Sequence, residues 1–276
     1  MTRSTMDIQF SPSLLVPDLE RHIEGYRARS ARALARRRVH TDLRYGPDPA
    51  ERLDLFPAPD APLVVFVHGG FWQELGKSFA SFVAEDFLDQ GVAFAALGYG
   101  LAPACSVGQI VRMVRRAVWW LSRNAGSFGI DPARIHLTGS SAGAHLAAMA
   151  LLPGWVPDGR SPADLLAGVA LLSGVYDLSP LRGTYVNEAL GLSAVDAWRN
   201  SPLWKLPPRV PPAVIARGGV ETAEFIRQHD AMAESFPGRA VEVVAAGRNH
   251  FDLPYDLADQ DTELGSAMLA QLDQAG

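Results

Sequence analysis

The chain has one cysteine, Cys105, in 276 residues. That excludes an intrachain disulfide and any zinc site built from several thiolates. No apolar run approaches the ~20 residues needed to cross a bilayer. The opening residues, Met1-Thr2-Arg3-Ser4-Thr5-Met6-Asp7, lack the apolar core of a signal peptide. Positive charge is in short supply: 25 Lys and Arg against 30 Asp and Glu leave a net charge of −5. Nucleic acid or an anionic membrane is therefore a poor candidate for the main partner. There is no internal repeat and no low-complexity segment. A cytoplasmic protein acting on a small molecule is expected, with no metal or cofactor and with room for a homodimer.

What is present is apolar substance: 48% of residues are hydrophobic, enough for one large core. Apolar runs alternate with helix-period segments, which predicts an α/β fold around a mostly parallel sheet. Strands are expected at Arg52–Phe56, Leu63–His68, Val92–Leu97, Ile135–Ser140, Val169–Ser173, Val214–Arg217 and Val241–Ala245. Most are continuous Val/Ile/Leu/Ala runs, as in strands covered on both faces. Helices are expected near Leu19–Arg37, Phe79–Gln90, Gln109–Ala125, Ala142–Leu152, Thr222–Phe236 and Ala258–Leu272. Gly129–Arg134 reads as a turn. The stretch Arg27–Arg38 reads as a helix with a solvated basic face. A single domain spanning 1–276 is expected, with an N-terminal helical segment at about 17–38. A cap-like insertion is expected at about 174–212, where the pattern turns irregular and rich in Pro, Trp, Leu and Tyr.

Two motifs carry chemistry. Gly139-Ser140-Ser141-Ala142-Gly143 lies between a strand run and a helix run, the setting of a nucleophile elbow. On its own the pattern is weak. His68-Gly69-Gly70-Phe71-Trp72, at the end of another strand, strengthens it, because glycines there leave N–H groups free to meet an oxyanion. Together they predict a serine hydrolase. Its expected oxyanion donors are the N–H groups of Gly70, Phe71 and Ala142, with Gly69 shaping the turn and His68 structural.

A serine hydroxyl needs a base and usually an acid behind it, and in this fold the order is Ser, acid, His. Two histidines follow Ser141. His229 falls mid-helix on what reads as an exposed face, whereas His250 lies in a loop after the last strand and is the expected base. Glu221 follows the strand Val214–Arg217 and is the expected acid, with Asp177 and Glu224 as rivals. Trp72 and Tyr176, each just past a strand end, are expected with Gly69 and Phe71 around the substrate. Trp119 and Trp120 read as core, and Cys105 as inert.

These residues resemble the kynurenine formamidase (arylformamidase) family. His68-Gly69-Gly70-Phe71-Trp72-Gln73 is similar to that family's HGGYWQ segment, and Gly139–Met149 is similar to its elbow block. Tyr99–Pro103, Leu172–Leu178, Arg199-Asn200-Ser201-Pro202 and Phe10-Ser11-Pro12-Ser13 extend the likeness over nearly the whole chain. The resemblance implies an α/β-hydrolase that cleaves N-formyl-L-kynurenine, or a related N-formyl arylamine, to the free amine and formate. The family triad of Ser, Asp and His falls on Ser141, Glu221 and His250, with Glu in place of Asp. Phe71 stands where the family motif has Tyr. The alternative is a carboxylesterase of the hormone-sensitive-lipase-like type acting on short-chain or aryl esters. Those enzymes usually continue with a third glycine and carry Asp before the nucleophile, where this chain has Phe71 and Ser140.

Overall fold

The apolar runs of the sequence become the inner strands of one eight-stranded sheet in a computed structural model that describes residues 4–274. The strands are β1 (His40–Arg44), β2 (Arg52–Phe56), β3 (Ala61–Val67), β4 (Ala93–Leu97), β5 (Ile130–Ser140), β6 (Gly168–Leu172), β7 (Ala213–Val220) and β8 (Ala240–Asn249). Their order is β1-β2-β4-β3-β5-β6-β7-β8. β1 and β2 are antiparallel to their neighbours, and every other pairing is parallel.

The α-helices are α1 (Thr5–Gln9), α2 (Leu19–Arg36), α3 (Ala84–Asp89), α4 (Val107–Asn124), α5 (Ala142–Ala150), α6 (Asn187–Leu190), α7 (Ala194–Arg199), α8 (Ala223–Ser235) and α9 (Glu263–Asp273). They cover both faces of the sheet, which is why strand residues of either parity are apolar. Leu63, Val65 and Val67 of β3 join the core beneath α4, α5 and α8, whereas Val64 and Phe66 join the core beneath α2, α3 and α9. None of the helices among the described residues is long and apolar enough to cross a membrane.

Four elements depart from the sequence pattern. β1 had no apolar run to announce it, because it is a half-exposed edge strand with Asp42 at φ 57° in an irregular register. Of the turn expected at 129–134 only Gly129, at φ 74°, is one; from Ile130 the chain is already β5, and Ile130 pairs with Ala61 across a register shift. The helix expected at 79–90 is confined to α3, after a 3₁₀ turn at Lys77–Phe79. The last helix begins only at Glu263, where Thr262 caps it by accepting from the Gly265 N–H.

The arginines of α2 stay exposed, as expected of a solvated face, but Arg29 and Arg32, with Arg37 just past the helix end, also pair with another helix. Arg32 and Arg37 both reach Glu85 of α3, Arg37 also holds Asp89 at 2.7 Å, and Arg29 lies 3.8 Å from Asp86. Arg29 also sits 4.7 Å above the Tyr255 ring. The helix is thereby docked at the carboxyl end of the sheet, where ligands bind in this architecture.

Candidate active site

β5 ends at Ser140, α5 begins at Ala142, and Ser141 between them holds φ 57° and ψ −120°. A non-glycine residue at such angles is strained and persists only where its surroundings over-determine it. Here the flanking glycines do so. A Cβ on Gly143 would fall 2.0 Å from the Val67 carbonyl oxygen, and one on Gly139 would fall 2.3 Å from the Gly143 backbone. Strand and helix can close this tightly only without those carbons. The Ser141 N–H is fixed to the Leu172 carbonyl at 2.8 Å, leaving the Ala142 N–H, at the first position of α5, without an intrahelical acceptor.

The loop after β3 presents the companion donors. Gly70, Phe71 and Trp72 have φ of 97°, 47° and 60°, and the Gly70 carbonyl accepts from the N–H groups of Gln73 and Glu74, both at 2.9 Å. A Cβ on Gly70 would sit 2.4 Å from the Glu74 carbonyl, so this tight turn requires glycine. Among the described residues, the N–H groups of Gly70, Phe71 and Ala142 have no acceptor. His68 is structural: its ring stacks on Tyr99 with centroids 4.1 Å apart, and burial lowers its pKa to about 4.

β7 and β8 are parallel neighbours, with Val220 opposite Asn249. Glu221 and His250 therefore emerge side by side at the carboxyl end of the sheet. His250 Nδ1 lies 3.1 and 3.2 Å from the two Glu221 carboxylate oxygens. Both groups are buried, and the Phe225 ring stands edge-on to the imidazole at 4.7 Å. The rival acids are engaged elsewhere. Glu224 holds Arg227 and Gln228, and Asp177 accepts from the Ser179 N–H. The turn bearing His250 is braced by Asn249 donating to Asp252 and by Arg248 paired with Asp256.

Ser141 and His250 line one cavity of about 340 Å³ together with Gly69, Gly70 and Phe71. No hydrogen bond joins Ser141 Oγ to the imidazole in this structure; in unliganded hydrolases such contacts commonly tighten only when substrate arrives. Tyr26, Phe66, Phe79, Phe82, Tyr185 and Phe251 add aromatic walls. Two expectations fail here. Trp72 is fully buried and donates its indole N–H to His145 Nδ1 at 3.2 Å, and His145 in turn meets the Asn200 carbonyl at 2.6 Å. Tyr176 is 1% exposed, with its ring folded over Gly174, where a Cβ would sit 2.3 Å away. Neither lines the cavity. Position beside a strand end was the only signal for them, and it does not say which way a side chain turns.

The sequence reading also missed the N-terminal contribution. Pro12, Ser13, Leu19, Ile23 and Tyr26 line the cavity, and the Tyr26 hydroxyl donates to the carbonyl of Phe251, next to His250. Gln9 clamps the acid loop: its carbonyl accepts from Thr222 Oγ1 at 2.6 Å and its Oε1 from the Glu224 N–H at 3.0 Å. His229, expected on an exposed helix face, is buried against β8 with Nε2 3.1 Å from Glu242. With Asp230 these two form a set of metal-type ligands, but Arg217 sits 3.8 Å from the Asp230 carboxylate and offers it a cation already.

Residues 55–155 match the family model described as BD-FAE. Over nearly the full length, the chain is 30% identical to a kynurenine formamidase of Danio rerio, covering 99% of this chain and 97% of that one. It is 31% identical to a kynurenine formamidase of Salmo salar, with the same coverage. A crystal structure described as a candidate thioesterase from Silicibacter sp. tm1040 superposes with a TM-score of 0.84 at 28% identity, covering 96% of this chain and 99% of that one. Fold and matches together define an α/β-hydrolase, an enzyme that cleaves amide or ester bonds. Within that class, the chain belongs to the kynurenine formamidase family.

Proposed function

We propose that the protein hydrolyses the formyl amide of an N-formyl arylamine, of the kind that N-formyl-L-kynurenine represents, through a formyl-enzyme on Ser141. The observation that supports this reading is that His250, backed by Glu221, and the strained Ser141 line one aromatic-walled cavity. Glu221 occupies Nδ1, so Nε2 is the nitrogen that takes the Ser141 proton. Oγ attacks the formyl carbon, and the charge on its oxygen is met by the free N–H groups of Gly70, Phe71 and Ala142. His250 then returns the proton to the arylamine nitrogen as the C–N bond breaks. Water, deprotonated by His250, cleaves the formyl ester and releases formate. An anilide nitrogen shares its lone pair with the ring, so its acyl bond yields more readily than that of an alkyl amide. Glutamate in place of aspartate lengthens the acid by one methylene, yet both of its oxygens still reach Nδ1.

The test is the rate of N-formyl-L-kynurenine hydrolysis beside that of an aryl acetate. Ser141→Ala should lower kcat by at least about 10⁴-fold, and Glu221→Gln by about 10³- to 10⁴-fold with the fold intact. Activity surviving in Ser141→Ala would remove the serine from the mechanism. Fast ester cleavage without formamide turnover would favour the carboxylesterase reading, which uses the same groups.

A further inference from the structure

The cavity over Ser141 carries charge of one sign. Among the described residues that line it there is no lysine and no arginine, and Glu74 supplies the one carboxylate. Glu74 is exposed, and its side chain has no ion-pair or hydrogen-bond partner among the described residues. Its backbone is fixed, because the Glu74 N–H closes the same Gly70 turn that presents the oxyanion donors. A second carboxylate, Glu221, lies directly behind His250. The tyrosine hydroxyls of the wall are already committed, Tyr26 to the Phe251 carbonyl and Tyr185 in contacts with Ser11 and Phe10. An anionic group entering this space would lose water, gain no cation from the described lining, and face the unpaired Glu74 carboxylate at the solvated mouth. A cation would gain Glu74.

Resting on the reading of Ser141 as nucleophile, we propose that Glu74 selects substrates by the charge on their leaving group. Aryl leaving groups bearing an ammonium are favoured over those bearing a carboxylate. A leaving group that carries both, as an amino-acid side arm does, has a partner for its ammonium and none for its carboxylate. The better substrate is then the corresponding amine without the carboxyl group. Such selection works by exclusion as much as by attraction.

Two formamides differing only in that carboxyl group, N-formyl-L-kynurenine and N-formylkynuramine, test this directly through kcat/KM. The amine should be favoured by about two- to fivefold, and the margin should shrink as salt screens the mouth of the cavity. Glu74→Gln should bring the ratio towards one, and Glu74→Arg should reverse it. Equal or faster turnover of the amino acid, or a ratio that ignores Glu74, overturns the proposal. The acetate esters of tyramine and of 3-(4-hydroxyphenyl)propanoate place the same two charges on the leaving group of an ester. If these esters show the preference while both formamides are inert, the formamidase reading fails and charge selection stands. If the formamides turn over and neither pair shows a preference, charge selection fails and the formamidase reading stands.

Discussion

Two regions contend for the roof of this active site, and they share the work in the opposite way to what their composition suggests. The insertion between β6 and β7 is rich in large aromatics, yet Trp198 and Trp204 are 65% and 71% exposed and Tyr176 turns into the core. Only Tyr185 and Val186 from it reach the cavity. The N-terminal segment is polar and arginine-rich, yet Pro12, Ser13, Leu19, Ile23 and Tyr26 close the cavity from above. The insertion packs into the core and gives the cavity two contact residues, whereas the N-terminal segment is a fitted wall. Composition reports how much apolar surface a segment owns; docking decides where that surface goes. α2 docks by burying Tyr26 and Ala33, and its Arg29 and Arg32, with Arg37 just beyond it, meet the acidic face of α3 at Asp86, Glu85 and Asp89.

The sharpest way to break this contrast is at Tyr26. The residue is 7% exposed, packs on Phe82 at 4.4 Å and Tyr255 at 5.2 Å, and donates to the carbonyl beside His250. Tyr26→Ala should cost about 3–5 kcal/mol of stability, as large-to-small changes in a core do, and should lower kcat/KM as the His250 turn loosens. Tyr26→Phe keeps the ring and should cost only about 1 kcal/mol for the lost hydrogen bond. Denaturant unfolding beside steady-state kinetics reads both. An alanine variant with wild-type kcat/KM would show that the N-terminal segment covers the site without shaping it.

A smaller effect is expected at Gln9, which touches the acid loop and not the cavity. Gln9→Ala removes the side-chain bond to the Glu224 N–H while the main-chain bond from Thr222 remains. About 1 kcal/mol of stability should go, and kcat should fall by severalfold with KM little changed, because Gln9 holds Glu221 in place rather than holding substrate. A rise in KM at constant kcat would place Gln9 against the ligand instead.

These contacts also mark where the sequence stops being readable. The elbow was legible because it is local: strand, glycine, serine, glycine and helix lie within a dozen residues, and each glycine answers a backbone contact that the structure now shows. The inner strands were legible for the same reason, since burial on both faces leaves continuous apolar runs. Glu221 could be ranked above Asp177 and Glu224 by its place after β7, but only the tertiary pairing of β7 with β8 brings it to His250. The bonds from Gln9 and Tyr26 span over 200 positions of chain, and no local pattern encodes such a contact. Trp72 and Phe71 are adjacent, and a single backbone step sends one to His145 and the other to the cavity. The Arg27–Arg38 run was legible as a helix with a solvated basic face, but the pairing of Arg29, Arg32 and Arg37 with another helix was not.

The smallest effect is predicted in the insertion, and its smallness is the point. Trp204 is mostly solvated and holds φ 62°, a conformation that suits glycine. Replacing it by glycine removes little buried area and relieves strain of about 1 kcal/mol, against which stands a similar cost in unfolded-state entropy. Trp204→Gly should therefore shift stability by less than about 0.5 kcal/mol, within the range of surface changes, and leave kcat/KM within about twofold of wild type. A tenfold loss of kcat/KM at unchanged stability would mean that the exposed tryptophan meets substrate in a closed form of the enzyme. The insertion would then be a working cap, and the contrast between the two regions would fail.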